Sequence, residues 1–584
     1  MPLMGSLYVG TSGLQTSQNA LNTTAHNLTN AETTGFVRQQ VQQSSRSYLT
    51  LSINVQSVNN QQTGLGVNYS RVKHIRDYFY DKAYRRESGR SMFYEVSTEV
   101  LEHVENQLGE MHGEAFQTTI EDYWTAIQEL AKDPASSVTQ GLLVQRAAEL
   151  IQRAQAVQEG LSTYQDNLNL QIKDQVDKIN EYGKQIITLN ESIRIIEAGG
   201  VEQANDLRDT RDLILDELSE LANISYGESV YGEVWVQIEG MDFVKGSTCY
   251  EMGLYADEDT GFYTPFWPSN ATYTINENGE KEYKIDNAKV FKLDREISTD
   301  LNTDIGGLKA MLLARGDHRA NYTDINEDYD AVSQSILMNI QAEFDQLIHN
   351  IAVTTNDILA KAAGVVTGDL NVYDENGNTV KLENVKYCTV ESNGYMRNED
   401  GSPIQMFSKI ASDGYRKVTD TNGTEYWVYN EEPPTDGEGH NETDYLYTLT
   451  NLEINEELLQ KPSMLGLRLE DGSEDIATAE ALKEAFSAED YKLNPNVQKK
   501  STFISYYTDL VSQIANTAYM NRNIYYNQQG ELESLESARQ QVMGVSSDEE
   551  LSNMIKFQNA YNASSRYINV IDEMLEHILN TLGV

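Results

Sequence analysis

The sequence predicts a multidomain α+β protein with paired coiled-coil helices at its two termini, a helical bundle domain, and inserted β-rich outer domains. Three observations predict it. Near the C-terminus, Met554, Phe557, Tyr561, Ile568, Ile571, Leu575, Ile578 and Leu582 recur in alternating steps of three and four, with Ser564 filling the one gap. That spacing is the seam of a coiled coil, which needs a partner helix rather than water. Near the N-terminus, Leu7, Leu14, Leu21 and Leu28 stand seven apart, with Thr11, Gln18 and Ala25 in the second seam position. Between them the pattern changes from helical to alternating and back, twice.

Taken in order, residues 1–40 form the N-terminal half of the terminal pair. They are rich in Ser, Thr, Asn and Gln, so the helix is a poor one in isolation and orders when packed. Gly35 supplies a left-handed stop. Residues 41–223 hold an extended segment, with a turn at Gly64-Leu65-Gly66, and then a helical bundle. Asp133-Pro134 closes one helix of that bundle. The next carries Leu168, Ile172, Ile179, Tyr182, Ile186, Leu189, Ile193 and Ile196, interrupted at Gln175 and stopped by Gly199-Gly200. A further helix opens with Asn205 and Asp206 as N-cap chemistry.

Residues 224–304 alternate as a first β-rich domain, with Asn278-Gly279 as a turn. Residues 305–364 return to helix. Residues 365–452 form a second β-rich insert, punctuated by Asn376-Gly377, Asn393-Gly394, Asp400-Gly401, Asp413-Gly414 and Asn422-Gly423. Residues 453–544 complete the bundle, with breaks expected near Pro462, Asn494-Pro495, Gly530 and Gly544. Residues 545–584 are the C-terminal half of the terminal pair.

Composition excludes several function classes. Lys plus Arg is 44 against 90 Asp plus Glu, a net charge of −46. Such a chain lacks the basic footprint that phosphate backbones or anionic membrane surfaces require, so neither nucleic acid nor membrane is an expected partner. No apolar run is long enough to span a bilayer. The first residues carry no basic n-region or apolar h-region, so no cleaved secretion signal is expected. Cys249 and Cys388 lie far apart, and no disulfide framework is indicated.

Nothing in the sequence assembles a catalytic, cofactor or metal site. No HExxH pair, phosphate-binding loop or nucleophile elbow occurs. His103 and His112, among Glu102, Glu105 and Glu110, read as a solvated helix face. Asp257-Glu258-Asp259-Thr260-Gly261 lacks the full order of a calcium loop and reads as a turn. The block Asn205 to Asp212 reads as a helix first turn with Arg208 and Asp212 spaced for an i,i+4 pair. The terminal seams have a plain alternative too, as an internal helical hairpin of a monomer.

The stretch Asn27-Leu28-Thr29-Asn30-Ala31-Glu32-Thr33-Thr34-Gly35-Phe36 resembles the shared N-terminal signature of flagellar axial proteins, the rod, hook and hook-associated proteins. Thr29 stands where Ala is usual. Within that family, Gly35-Phe36-Val37-Arg38-Gln39 resembles the hook-associated branch, as does the block carrying Asn205, Asp206, Arg211 and Asp212. Ile305 to Leu312 and Ile454 to Ser463 add two further similar blocks, with Lys461 where Asp is usual. The β inserts carry no such motif.

The resemblance implies a non-enzymatic structural subunit of the bacterial flagellum, at the junction of hook and filament. It implies export through the growing flagellum without a cleaved signal peptide, and an extracellular location. Implied partners are further copies of the chain in a ring or helical assembly, hook protein on one side, and a second junction protein or flagellin on the other. A cytoplasmic export chaperone at the C-terminal helix is also implied. Another axial protein of hook or rod type, or an axial scaffold carrying an adhesive β insert, are the alternatives. For the assembly interface the expected residues are Leu7, Leu14, Leu21 and Leu28 with Phe557, Tyr561, Ile568, Ile571, Leu575 and Ile578.

Overall fold

The structure is a computed structural model that describes residues 2–46, 49–52, 61–109, 116–200, 202–275, 281–327, 329–373, 379–390, 396–430, 442–469 and 471–582. Helix α1 (Pro2–Thr29) leads into an extended arm of β1 (Gln39–Ser45), β2 (Leu49–Ser52), β3 (Gln61–Thr63) and β4 (Val67–His74). β1 pairs antiparallel with β4 from Gln39 opposite His74 to Ser45 opposite Val67, with an irregularity at Gln42 and Gln43. The helix ends at Thr29, earlier than expected, and Gly35, at φ +79°, turns the chain six residues later.

Four long helices follow: α2 (Tyr78–Leu108), α3 (Phe116–Lys132), α4 (Ser137–Glu197) and α5 (Asn205–Leu221). α4 has 61 residues and would extend about 90 Å at 1.5 Å per residue. Its first half packs in one core and its second half in another. The first core joins α2 and α3 to Leu143, Leu150 and Leu161 of α4; the second gathers Ile172, Val176, Ile179 and Ile186. The heptad reading of α4 drifts here, because a straight helix repeats every 3.6 residues. Val176 is buried in place of Gln175's predicted position, Asn190 is buried in place of Leu189, and Ile196 is 41% exposed. Asn190 earns burial by bonding both backbone groups of Val234.

The second core is closed by a four-stranded antiparallel sheet, β5 (Ile224–Glu228), β6 (Val234–Ile238), β7 (Met241–Lys245) and β8 (Thr248–Cys249). Two separate hairpins follow, β9 (Gly253–Ala256) with β10 (Tyr263–Phe266), and β11 (Thr272–Ile275) with β12 (Lys281–Lys284). Asn278-Gly279, the predicted turn, lies outside the described residues. Asp257 caps a turn, its Oδ1 accepting from the Asp259 and Thr260 N–H groups and from Thr260 Oγ1. Helix α6 (Gly307–Arg315) serves both cores, giving Leu308 and Leu312 to the sheet side and Ala310 and Leu313 to the bundle side.

The short helices α7 (Tyr322–Glu327) and α8 (Tyr329–Ser333) precede α9 (Ile336–Ala362), the central helix of the bundle. The second insert holds a sheet ordered β13 (Val366–Tyr373), β14 (Thr379–Thr389), β17 (Glu425–Tyr429) and β16 (Tyr415–Thr419), numbered after the short β15 (Phe407–Lys409). β15 pairs with β18 (Leu452–Ile454) and seats the insert on the bundle through Phe407, Leu452 and Ile454. Asn422-Gly423 makes the turn between β16 and β17, with Gly423 at φ +84°. Gly401 is left-handed as well, whereas Asp413-Gly414 joins β15 to β16 rather than turning a hairpin. Asn376-Gly377 and Asn393-Gly394 lie outside the described residues.

After α10 (Glu456–Gln460) and α11 (Ile476–Ser487), the chain returns through α12 (Phe503–Met543) and α13 (Ser547–Leu582). α12 runs unbroken through Gly530, where a break was expected. A lone glycine costs a helix only about 1 kcal/mol against alanine, and 41 residues of helix absorb that. Gly544 does separate the last two helices. Cys249 and Cys388 are both free thiols.

Two carboxylates are buried inside the bundle with no cation paired to them among the described residues. Glu343 accepts from Asn494 Nδ2 at 2.8 Å and from Gln513, while Asp345 accepts from the N–H groups of Leu449 at 2.6 Å and Tyr322 at 3.0 Å. Burial pushes each carboxyl up to about 7, against the pull of those donors. The folded chain therefore holds protons between about pH 4 and 7 that the unfolded chain has released. Stability contributed at low pH is lost as pH rises through that window, by at most about 1.4 kcal/mol per pH unit for each group. In urea titrations from pH 5 to 8, Glu343→Gln is expected to lose less stability than the parent chain; parallel slopes would contradict this.

Candidate functional site

The two chain ends meet as an antiparallel helix pair. Gly10 of α1 faces Ile568 and Gly13 faces Ser564; a Cβ at either glycine would come within 2.8 Å of Ile568 Cγ1 or Ser564 Oγ. Ser17, Ala20 and Thr24 continue that stripe and are buried. The closest approach is thus made by small residues, which let the backbones draw together. Leu7, Leu14, Leu21 and Leu28 lie roughly a quarter-turn aside, at 100° per residue, and are half-buried. Sequence reasoning put them at the centre of the contact, because small residues give no hydropathy signal.

On α13 the predicted seam is the side turned inward, but one helix does not cover it. Ile571 is 4% exposed, Phe557, Tyr561, Ile568 and Leu575 are half-buried, and Ile578 is 36% exposed. Other apolar side chains on the same helix stay open, spread around it at 100° per residue: Leu551 is 46% exposed, Ile555 61%, Val570 45%, Met574 49% and Leu579 71%. Tyr8 and Val9 of α1 are also exposed.

The residues of the N-terminal motif tie this pair to the helical domain. Asn27 acts as a strand neighbour to β1, donating from Nδ2 to the Gln39 carbonyl at 2.8 Å and accepting the Gln39 N–H at 3.0 Å. Asn30 Nδ2 donates back to the His26 carbonyl and its Oδ1 accepts from Thr33, shaping the turn. Gly35 passes over Leu213, and Phe36 meets His26 edge-on at 5.4 Å. Arg38 reaches Glu549 at 2.9 Å and Glu550 at 2.8 Å in the first turn of α13, where carboxylates already sit favourably, and its N–H bonds the Met543 carbonyl.

The Asn205 to Asp212 block lies on the other side of the same joint. Asp206 accepts from Gln39 Nε2 at 2.8 Å and lies 3.3 Å from His26 Nε2. Asn205 is the first helical residue and not the cap. That place falls to Ala204, whose N–H is taken by Glu197. The i,i+4 pair expected between Arg208 and Asp212 does not form, because both have nearer partners. Arg208 bonds Glu197 and Glu228, whereas Asp212 meets Arg76 at 2.7 Å and Arg85 at 3.2 Å. Arg211, 2% exposed, bonds Asn190 and the Gly232 carbonyl.

Sequence reasoning missed the wider network. His74 lies 2.6 Å from Asp209, which also accepts the Val37 N–H at 3.1 Å. Arg76 spans Asp81 and Asp212; Arg85 spans Asp212 and Asp216; Arg539 spans Asp81 and Asp216. β4, α2, α5 and α12 are thereby cross-linked by charge. Burial raises the Asp209 carboxyl, against the pull of His74 and Val37. Burial works the same way on Asp212, but there Arg76, Arg85 and Arg211 outweigh it and hold the carboxyl below its ordinary range. The available signal was Asp209, Asp212 and Asp216 recurring along one face of an otherwise amphipathic helix.

Among the described residues no cluster of His, Cys, Asp and Glu could hold a metal ion, and no helix is long and apolar enough to cross a membrane. The arrangement is mechanical: it fixes the base of the helical domain to a rod whose outer faces are open. Asp212→Asn should cost about 3 kcal/mol, since it leaves two guanidinium groups underpaired, and should lower the urea midpoint of the helical domain. Arg38→Ala should also destabilise, since it strips the cation from Glu550, which is 2% exposed, and should show as faster hydrogen exchange at residues 545–560. An unchanged urea midpoint for Asp212→Asn, or unchanged exchange for Arg38→Ala, would contradict this reading.

Comparison with known proteins agrees with the joint and the bundle. Residues 101–372 match the family described as flagellar hook-associated protein FlgK helical domain. Residues 7–36 match the flagella basal body rod protein family, and residues 538–581 the flagellar basal body rod FlgEFG protein C-terminal family. Flagellar hook-associated protein 1 of Bacillus subtilis is 23% identical over 98% of this chain and 97% of its own length. The protein of the same name from Escherichia coli is 22% identical over 97% and 98%. A solved structure described as the flagellar hook junction protein FlgK from Burkholderia pseudomallei covers 80% of this chain and all of its own, at 16% identity and a TM-score of 0.49. Three family matches thus fall in chain order, and the chain is similar nearly end to end to relatives named flagellar hook-associated protein 1.

Proposed function

We propose that this chain is a structural subunit of the bacterial flagellum that forms the junction between hook and filament, assembling through its paired terminal helices. The observation that carries the reading is the incomplete terminal pair. α1 and α13 are joined through glycine and small residues, yet Leu7, Leu14, Leu21, Leu28 and the exposed apolar residues of α13 between Leu551 and Leu579 retain apolar surface. Burying each such side chain contributes roughly 1.5–3 kcal/mol, available only from neighbouring subunits. The relatives named as hook-associated proteins support the location.

The role is architectural, with no catalytic step. The subunit packs against copies of itself, against hook protein on one side and against a second junction protein or flagellin on the other. It reaches its place outside the cell by export through the growing flagellum. An export chaperone would cover the C-terminal helix beforehand, and the exposed apolar residues of α13 are a surface it could hold. The β inserts face outward as surface cover.

Immunogold labelling of isolated flagella with an antibody to residues 365–450 tests the location. Gold confined to the hook–filament boundary is expected; gold along the whole hook would make the chain a hook protein. Leu21→Asp is expected to leave the circular dichroism spectrum unchanged and to abolish incorporation, and normal incorporation would remove the leucine stripe from the assembly surface.

A further inference from the structure

A groove of about 900 Å³ opens beside the start of α2, walled by Tyr78, Phe79 and Trp235 and rimmed by Lys82 and Arg86. Phe79 is 73% exposed and Tyr78 56%. Trp235 is held flat over Gly227, where a Cβ would meet its ring at 2.6 Å. Below the groove, Arg85 lies 4.4 Å over the Tyr226 ring. Open aromatic surface edged by two cations, on a chain of net charge −46, calls for a cover that is acidic and aromatic.

A second, independent observation lies on α12. Gly530 sits in mid-helix with nothing within 4 Å of where a Cβ would stand, and its φ is not positive. No contact among the described residues accounts for a residue that weakens the helix. Tyr519 and Tyr526 on the same face are 66% and 60% exposed, and Glu531 and Glu533 beside it are exposed as well. A bare glycine between tyrosines and glutamates marks a place where a second surface can approach closely.

The two features face apart. The residues of α2 that meet α12 are Asp81 and Tyr84, against Arg539, and Glu102, against Arg522. At 100° per residue, Phe79, Lys82 and Arg86 project from roughly the opposite side of α2. The groove and the stripe therefore cannot cover each other within one chain, but between copies they repeat head to tail. A heterologous contact of that kind closes a ring or extends a helix.

We propose that the groove at Phe79, Lys82, Arg86 and Trp235 of one subunit receives the α12 stripe at Tyr519, Tyr526, Gly530 and Glu533 of the next copy. The inference rests on the chain being a self-assembling axial subunit and adds a lateral contact in the helical domain. Its test is a photocrosslinker in the full chain, Phe79→p-benzoylphenylalanine, in assembled flagella, read by mass spectrometry. Adducts with residues 519–533 of a second copy are expected. Adducts to another protein or another segment, or none from an incorporated chain, would overturn the proposal.

A charge exchange gives a second readout. Lys82→Glu and Glu533→Lys should each lower incorporation roughly two- to five-fold, and the double variant should restore it. Single variants without effect, or no rescue, would overturn the pairing. Gold placed elsewhere on the flagellum would fail the junction reading while leaving the 79 to 519–533 adduct intact, so the two failures are distinguishable.

Discussion

Arg85 is 3% exposed and its guanidinium lies between Asp212 and Asp216, two carboxylates one turn apart on α5. Burial disfavours its charge, yet Asp216 and Asp212 more than compensate, so the group stays protonated. Asp216 and Asp81 in turn hold Arg539 of α12, and Asp81 and Asp212 hold Arg76 after β4. Such a network adds little net stability over apolar packing, but breaking one member leaves an uncompensated buried charge. Its effect is directional. It sets one geometry among three stretches far apart in the sequence, around residues 76–85, 209–216 and 539, which greasy contact alone would leave free to slide.

The terminal helices depend on that geometry. The turn after α1 is pinned by Asn27 to β1 and by Val37 and Gln39 to α5, while Arg38 reaches across to the first turn of α13. The chain thus leaves the rod, builds the bundle and its inserts, and returns to the rod within one joint. Beyond it α1 and α13 touch through Gly10 and Gly13, a contact that favours closeness over buried area. What remains uncovered is the surface that a neighbouring subunit would bury.

Much of this was legible from spacing. The α13 seam was readable because three-four recurrence survives polar interruptions such as Ser564, and the β inserts were readable from their alternation and turn dipeptides. The face that α1 presents was not, because Gly10, Gly13, Ser17 and Ala20 look like filler to any hydropathy count. The α5 block was misread as a local ion pair because Arg76, Arg85 and Arg539 come from other segments, Arg539 from 323 positions away from Asp216. Glu343 and Asp345 were invisible for a related reason: their donors arrive from loops and helices across the bundle, and only the apolar neighbours Phe344 and Leu347 hint at burial.

The terminal pair is incomplete in a single chain, and we propose that neighbouring subunits complete it. Hydrogen exchange followed by mass spectrometry, on the free chain and on the assembled form, tests it directly. In the free chain residues 2–29 and 547–582 should exchange far faster than the core of α4 and α5, and on assembly they should become as protected as that core. Equal protection of the terminal helices and the bundle in the free chain would contradict the account.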